Sequence, residues 1–153
     1  MSRFSQKHRS QPGAAAAQVQ AVEAAYVALM RAQRWLVGML VACAMIGLKL
    51  HGPPGVLGNR IYLPAILATS LLTLAFTLRG RLVLPSLDEL RANPRDAMLL
   101  RRWSRNTLIV QLLCTAVGLT GFALQLLGAA TSLALTLYAI AFAYLFMLRP
   151  VRP

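Results

Sequence analysis

Acidic residues are nearly missing from this sequence. Glu23, Asp88, Glu89 and Asp96 are the only four among 153 residues, set against 16 Lys and Arg. Charged residues of both signs amount to 13%, well below the roughly 25% of an ordinary soluble domain. So little polar surface cannot cover a water-soluble globule. Cysteine is scarce as well. Cys43 and Cys114 each sit inside an apolar run, which provides neither a disulfide framework nor metal-ligand spacing. Both read as small packing residues. His8 and His51 stand alone, so neither belongs to a catalytic or metal-binding set. Aromatic residues make up 7% and do not interleave with a basic face, so the net charge of +12 does not point to nucleic acid. No cofactor is implied.

What the chain has is apolar residues, 58% of the total with a mean hydropathy of +0.59, and lipid is the solvent that suits them. The expected fold class is all-α, a four-transmembrane-helix bundle. Residues 1–13 form a basic tail, broken by Pro12 and Gly13, that reads as disordered. Residues 14–153 read as one membrane domain. From 14 to 34 the chain is rich in Ala and Gln. There Val19, Val22, Tyr26, Leu29 and Met30 make one apolar stripe, which suits a surface helix or a cytoplasmic extension of the first span. The spans run at about 35–50, 61–78, 107–127 and 132–148. Residues 51–60, with two prolines and three glycines, form a turn. Gly128-Ala129-Ala130-Thr131 is a second, tighter one.

The connection 79–106 carries seven arginines. Ser86 and Glu89 fit a capping box after Pro85. The short helix they start should stop near Asn93, ahead of Pro94. Asn93 should then cap a helix with Pro94 at its first position and Asp96 in its first turn. The termini and this connection share one side in a four-span arrangement and hold 14 of the 16 basic residues. Only Lys49 and Arg60 fall on the other side. That split places both termini in the cytoplasm of a bacterial inner membrane. The segment Leu40-Val41-Ala42-Cys43 matches a lipoprotein processing box, but the apolar run continues through it, and 34 residues precede that run.

The spans contain no Asp, Glu, Arg or His. That argues against a rotor-ring subunit, a proton-coupled small exporter and a voltage sensor, each of which needs a charged or titratable group at depth. The best-organised polar feature is a heptad seam on the third span: Gln111, Cys114, Gly118, Gly121, Gln125 and Gly128. Small residues let helices approach closely, and buried Gln can hydrogen-bond across such a seam. Ala65, Thr69, Thr73 and Thr77 repeat every four residues on the second span and suggest packing there. Arg91, Arg95, Arg101, Arg102 and Arg105 with Trp103 form the candidate contact surface for anionic headgroups or a partner. Arg91, Arg95 and Arg102 lie at similar helical angles if Pro94 does not bend the chain sharply.

Two internal matches suggest parallel duplicated hairpins. Cys43-x-x-x-Gly47-Leu48 matches Cys114-x-x-x-Gly118-Leu119, and Leu78-Arg79 matches Leu148-Arg149. Under that reading Cys43 and Cys114 lie at equal depth. The first and third spans are then central, in contact, and the other two peripheral.

Asn93-Pro94-Arg95-Asp96, Arg102-Trp103 and the terminal Leu148-Arg149-Pro150 resemble uncharacterised small four-span bacterial membrane proteins over about the last 60 residues. The resemblance implies no activity. Arg105-Asn106 is only a fragment of what four-span glutathione-dependent membrane enzymes carry, without the Glu and Tyr expected around it. The functional expectation is a non-enzymatic accessory, assembly or scaffold component that contacts membrane lipids, anionic headgroups and another membrane protein or its own copies. The alternatives are a transporter or channel for a neutral or lipid-like solute, and a membrane enzyme using the cytoplasmic Arg cluster.

Overall fold

The structure is a computed structural model that describes residues 12–50, 62–93 and 96–152; of residues 12–15, 18 and 62 it describes only the backbone. The tail 1–11 with His8, the turn 51–60 with His51, Pro94, Arg95 and Pro153 lie outside the described residues. Among the described residues there is no strand. The helices are α1 (Pro12–Lys49), α2 (Tyr62–Leu78), α3 (Leu84–Ala92), α4 (Ala97–Leu126) and α5 (Thr131–Met147), with a π-helical turn at Arg79–Val83 joining α2 to α3. Three helical runs are long and apolar enough to cross a membrane: Val19–Lys49, Leu63–Ala92 and Ala97–Leu126; Thr131–Met147 is a shorter apolar helix.

The segment 14–34 and the first span form a single helix. Past Gly13 the only Gly or Pro before Gly47 is Gly38, and one interior glycine costs a helix only about 1 kcal/mol. At 1.5 Å per residue, α1 is about 57 Å long, nearly twice a hydrocarbon core. Its inward residues run Val22, Tyr26, Leu29, Gln33, Leu36, Leu40, Cys43 and Gly47, alternating steps of four and three over seven intervals.

Ser86 and Glu89 do not make a capping box. The helix is unbroken there, and Ser86 Oγ donates to Val83 O at 2.9 Å within it. Pro85 lacks an N–H and its ring would clash with the carbonyl four residues back. The turn just ahead of it widens, so that Leu84 N–H donates to Arg79 O, five residues back. Asn93 closes α3 rather than opening α4. The N-cap of α4 is Asp96, whose Oδ1 accepts from Met98 N at 2.8 Å and Leu99 N at 3.3 Å. At the far end Gly128, with φ 77°, sits in the left-handed region. Ala129 N donates to Leu124 O and Gly128 N to Gln125 O, the paired bonds of a Schellman motif that turns the chain into α5.

α4 is the hub, packed against α1, α2 and α5, and α1 also touches α5. α1 and α2 are not packed together as α4 and α5 are. The main core joins Leu40, Ala68, Ala75, Val110, Cys114, Val117 and Ala141 with their neighbours. A second, smaller core lies at the basic end, where Leu29 of α1, Leu87 and Leu90 of α3, and Trp103 of α4 meet. α2 packs through Ala68, Leu71, Leu72 and Ala75. Ala65, Thr69, Thr73 and Thr77 are exposed on a different face, and each Thr hydroxyl is satisfied by the carbonyl four residues back. That ridge does not pack against the described residues.

Candidate functional site

The glycines of α1 and α4 define how the central helices meet. A Cβ on Gly118 would lie 2.6 Å from Leu40 Cδ2 and 3.2 Å from Ala141 Cβ. On Gly121 it would lie 3.1 Å from both Ala134 O and Leu137 Cβ. On Gly47 it would strike Gln125 Oε1, so that oxygen points at the Gly47 Cα–H. A weak Cα–H···O contact fits this geometry. Leu40 meets Gly118 and Gly47 meets Gln125, an offset of 78 residues in each case. The helices α1 and α4 therefore run parallel and in register, and α5 returns antiparallel. The same offset places Cys43 level with Gly121, and Cys114 level with Leu36. The two cysteines thus differ by one heptad, about 10 Å along the helix. They are not at matched depth, and α2 does not pair with α1 as α5 pairs with α4, so the duplicated-hairpin expectation does not describe this arrangement.

Gln111, Cys114, Gly118, Gly121 and Gln125 are buried, and Gly128 is half-buried in the turn. Among the described residues neither Gln111 nor Gln125 has a hydrogen-bond partner for either side-chain amide atom. The expectation of Gln bonding across the seam is corrected on this point. The residue that does bridge helices is Gln33, which had not been singled out. Its Nε2 donates to Leu145 O at 2.7 Å, an otherwise free carbonyl in the last turn of α5. The α1–α4 offset brings Gln33 opposite Gln111, so the three helices meet around one amide layer. The signal for Gln33 was available in the sequence, because it continues the α1 stripe in heptad steps.

The Arg cluster is not one helical stripe. Arg91 is on α3 and Arg102 on α4, with the break at Asn93 between them. Trp103 is 0% exposed and belongs to the second core, so it cannot be a headgroup or partner contact. The indole turns inward because the α4 face carrying Trp103, Thr107 and Val110 continues the buried side of the span. Arg101, Arg102 and Arg105 are exposed. Arg91 pairs with Asp88 at 3.8 Å and donates to Arg152 O at 3.3 Å. Arg152 in turn holds Glu23 of α1 at 2.8 Å. The chain's last described residues are thus strapped between α1 and α3. Arg79 donates to Met147 O at 2.9 Å and, with Gln33, caps the carbonyl end of α5. A shallow groove opens beside this cap, with Arg79 and Arg149 at its rim and apolar walls.

Among the described residues no three His, Cys, Asp or Glu side chains gather as metal ligands. Comparison with protein-family models, with curated proteins and with solved structures finds no match. The arrangement can do two things chemically. It locks α1, α4 and α5 in a fixed register, and it presents guanidinium groups at the end of the molecule where α1, α3, α4 and the C-terminal segment meet.

Proposed function

We propose that this chain is a four-pass bundle of the bacterial inner membrane, with both termini cytoplasmic, that works as a non-enzymatic scaffold or assembly component. The observation that carries this reading is the second core of Leu29, Leu87, Leu90 and Trp103. It ties the extensions of three membrane-length helices into a small head bearing exposed arginines, a rigid platform for a partner or for anionic headgroups. The basic split in the sequence supports placing that head in the cytoplasm. The likeness to small four-span bacterial membrane proteins is part of the same proposal.

Native purification after mild crosslinking tests it. A membrane protein recovered in fixed stoichiometry, and lost on replacing Arg101, Arg102 and Arg105 with Gln, is the expected result. Recovery of the chain without any such partner, in wild type and variant alike, counts against the scaffold reading. A second reading, transport of a neutral or lipid-like solute, is favoured by one observation: the unpaired amides of Gln111 and Gln125 inside the bundle. Solute uptake into vesicles containing the purified chain, abolished by Gln111→Leu, would establish it instead.

A further inference from the structure

We propose that the groove between the π turn, α3 and the C-terminal segment is a binding site for the phosphate headgroup of an anionic phospholipid, with Arg79 and Arg149 as its two ligating groups. This rests on the reading of the chain as membrane-spanning. Arg79 directly follows the last residue of α2, and Arg149 lies two residues beyond the end of α5. α5 is 17 residues long, about 26 Å, and Arg79 reaches its last carbonyls, so both arginines fall at the level where hydrocarbon gives way to headgroups. The rim of the groove is cationic and its walls are apolar: Leu84, Leu87, Val110 and Leu148 line it. No acidic residue lines it. Three of the four acidic residues are engaged elsewhere: Glu23 with Arg152, Asp88 with Arg91, and Asp96 at the start of α4.

The two arginines are prepared differently. Arg79 is oriented by its bond to Met147 O, which uses one of the five N–H donors of a guanidinium and leaves others to turn toward a phosphate. The π turn supports this placement, since it sets the phase of the helix at Arg79 before Pro85. Arg149 is exposed and makes no hydrogen bond or ion pair with another described residue. A phosphate between them would accept charge-assisted bonds from both. The groove is too shallow to enclose a ligand. That suits a headgroup held at the rim with its chains lying along exposed Leu84 and the lipid-facing flank.

Native mass spectrometry of the full chain in detergent micelles tests the site, with phosphatidylglycerol and phosphatidylcholine of equal chain length as probes. Phosphatidylglycerol should be retained over phosphatidylcholine. Arg149→Gln and Arg79→Gln should each weaken that retention about fivefold, whereas Arg101→Gln, outside the groove, should leave it unchanged. If Arg79→Gln fails to fold for loss of the α5 cap, Arg149→Gln decides, because its exposed side chain makes no hydrogen bond or ion pair with another described residue. Equal retention of the two lipids, or undiminished preference in Arg149→Gln, overturns the site. Equal stabilisation by glycerol phosphate or inorganic phosphate alone assigns the arginines to a soluble phosphate and overturns the lipid assignment. Failure to find a protein partner refutes the scaffold reading and leaves this test unaffected, whereas release of the chain by an alkaline wash refutes the membrane reading itself.

Discussion

Single residues in the central seam separate cleanly into those that have room and those that do not. Gly118 and Gly121 lie against Leu40, Ala141 and the α5 backbone, so a larger side chain must push a neighbouring helix away. Gly118→Leu and Gly121→Leu should each lower stability by about 1–3 kcal/mol or more. Gly38 has nothing within 4 Å of its missing Cβ, and Gly38→Ala should be neutral or stabilise by up to about 1 kcal/mol. Unfolding in mixed detergent micelles measures both, and similar losses at Gly38 and Gly118 would remove the close approach from the account. The glutamines give a sharper contrast. The amide of Gln33 makes a bond, and that of Gln111 makes none with the described residues. Removing a bonded amide leaves Leu145 O unpaired, at a cost of about 1–3 kcal/mol, while replacing an unbonded one with an apolar side chain is neutral or stabilising. Gln33→Leu should therefore melt earlier than wild type and Gln111→Leu should not. A large loss at Gln111 would mean that its amide has a partner in the membrane, such as a water molecule or a solute.

At the scale of the element, helix ends depend on which side chain reaches the open amides. Asp96→Ala should weaken α4 by about 1 kcal/mol, and Asn93→Ala much less. Hydrogen exchange at Met98 and Leu99 is the direct readout, with faster exchange expected only in Asp96→Ala. The difference explains why the local reading was partly right. Pro94 required a break near Asn93, and the break is there. Asn93 and Asp96 both suit a cap by composition, however, and only the backbone path decides that Asp96 takes the position. The Ser86–Glu89 motif was legible as a helix start but the chain was already helical, and no composition rule predicts that a π turn will absorb Pro85. Heptad steps were legible on α4 from Gln111 to Gln125. On α1 the same steps are legible from Val22 to Leu29, but their continuation to Gln33 and Gly47 is easily passed over, because these look unlike core residues and the stripe crosses what hydropathy alone divides into two segments. The Thr ridge of α2 shows the opposite failure. A perfect four-residue repeat lies on an exposed face, because the larger Ala68–Ala75 side fits α4.

At the scale of the molecule, one helix organises the rest. α4 takes α1 in parallel and α5 in antiparallel, while α2 docks on it separately. Hydropathy identified the helices, but their neighbours depend on register, which pairs of Leu/Ala-rich segments specify weakly. That is why two Cys-x-x-x-Gly matches suggested a duplication that the 78-residue offset does not support. Orientation rests on charge, which the sequence shows directly, and the fold adds a consistency argument. Glu23, Arg91 and Arg152 are bonded together, and Trp103 is packed on Leu29 and Leu87, so α1's first half, α3, the start of α4 and the C-terminus occupy one end. Whatever compartment holds one of them holds all. Cysteine labelling in intact cells decides which, in a chain with both native cysteines replaced by Ser. The reporters should be placed at Gly55, in the sequence between α1 and α2, and at the exposed positions Glu89, Arg101 and Val151 at the basic end. Leu90 is unsuitable, since it is buried and would stay silent on either side. Because the sequence assigns 14 basic residues to one side of a four-span chain and two to the other, only position 55 is expected to react with an impermeant reagent, and the other three after the membrane is opened. Labelling at 89, 101 and 151 but not at 55 would invert the orientation and place the arginine head outside. A mixture within the basic-end set would contradict the fold itself, because the second core joins α3 to α4 and the Arg152 contacts with Glu23 and Arg91 hold the C-terminus beside them.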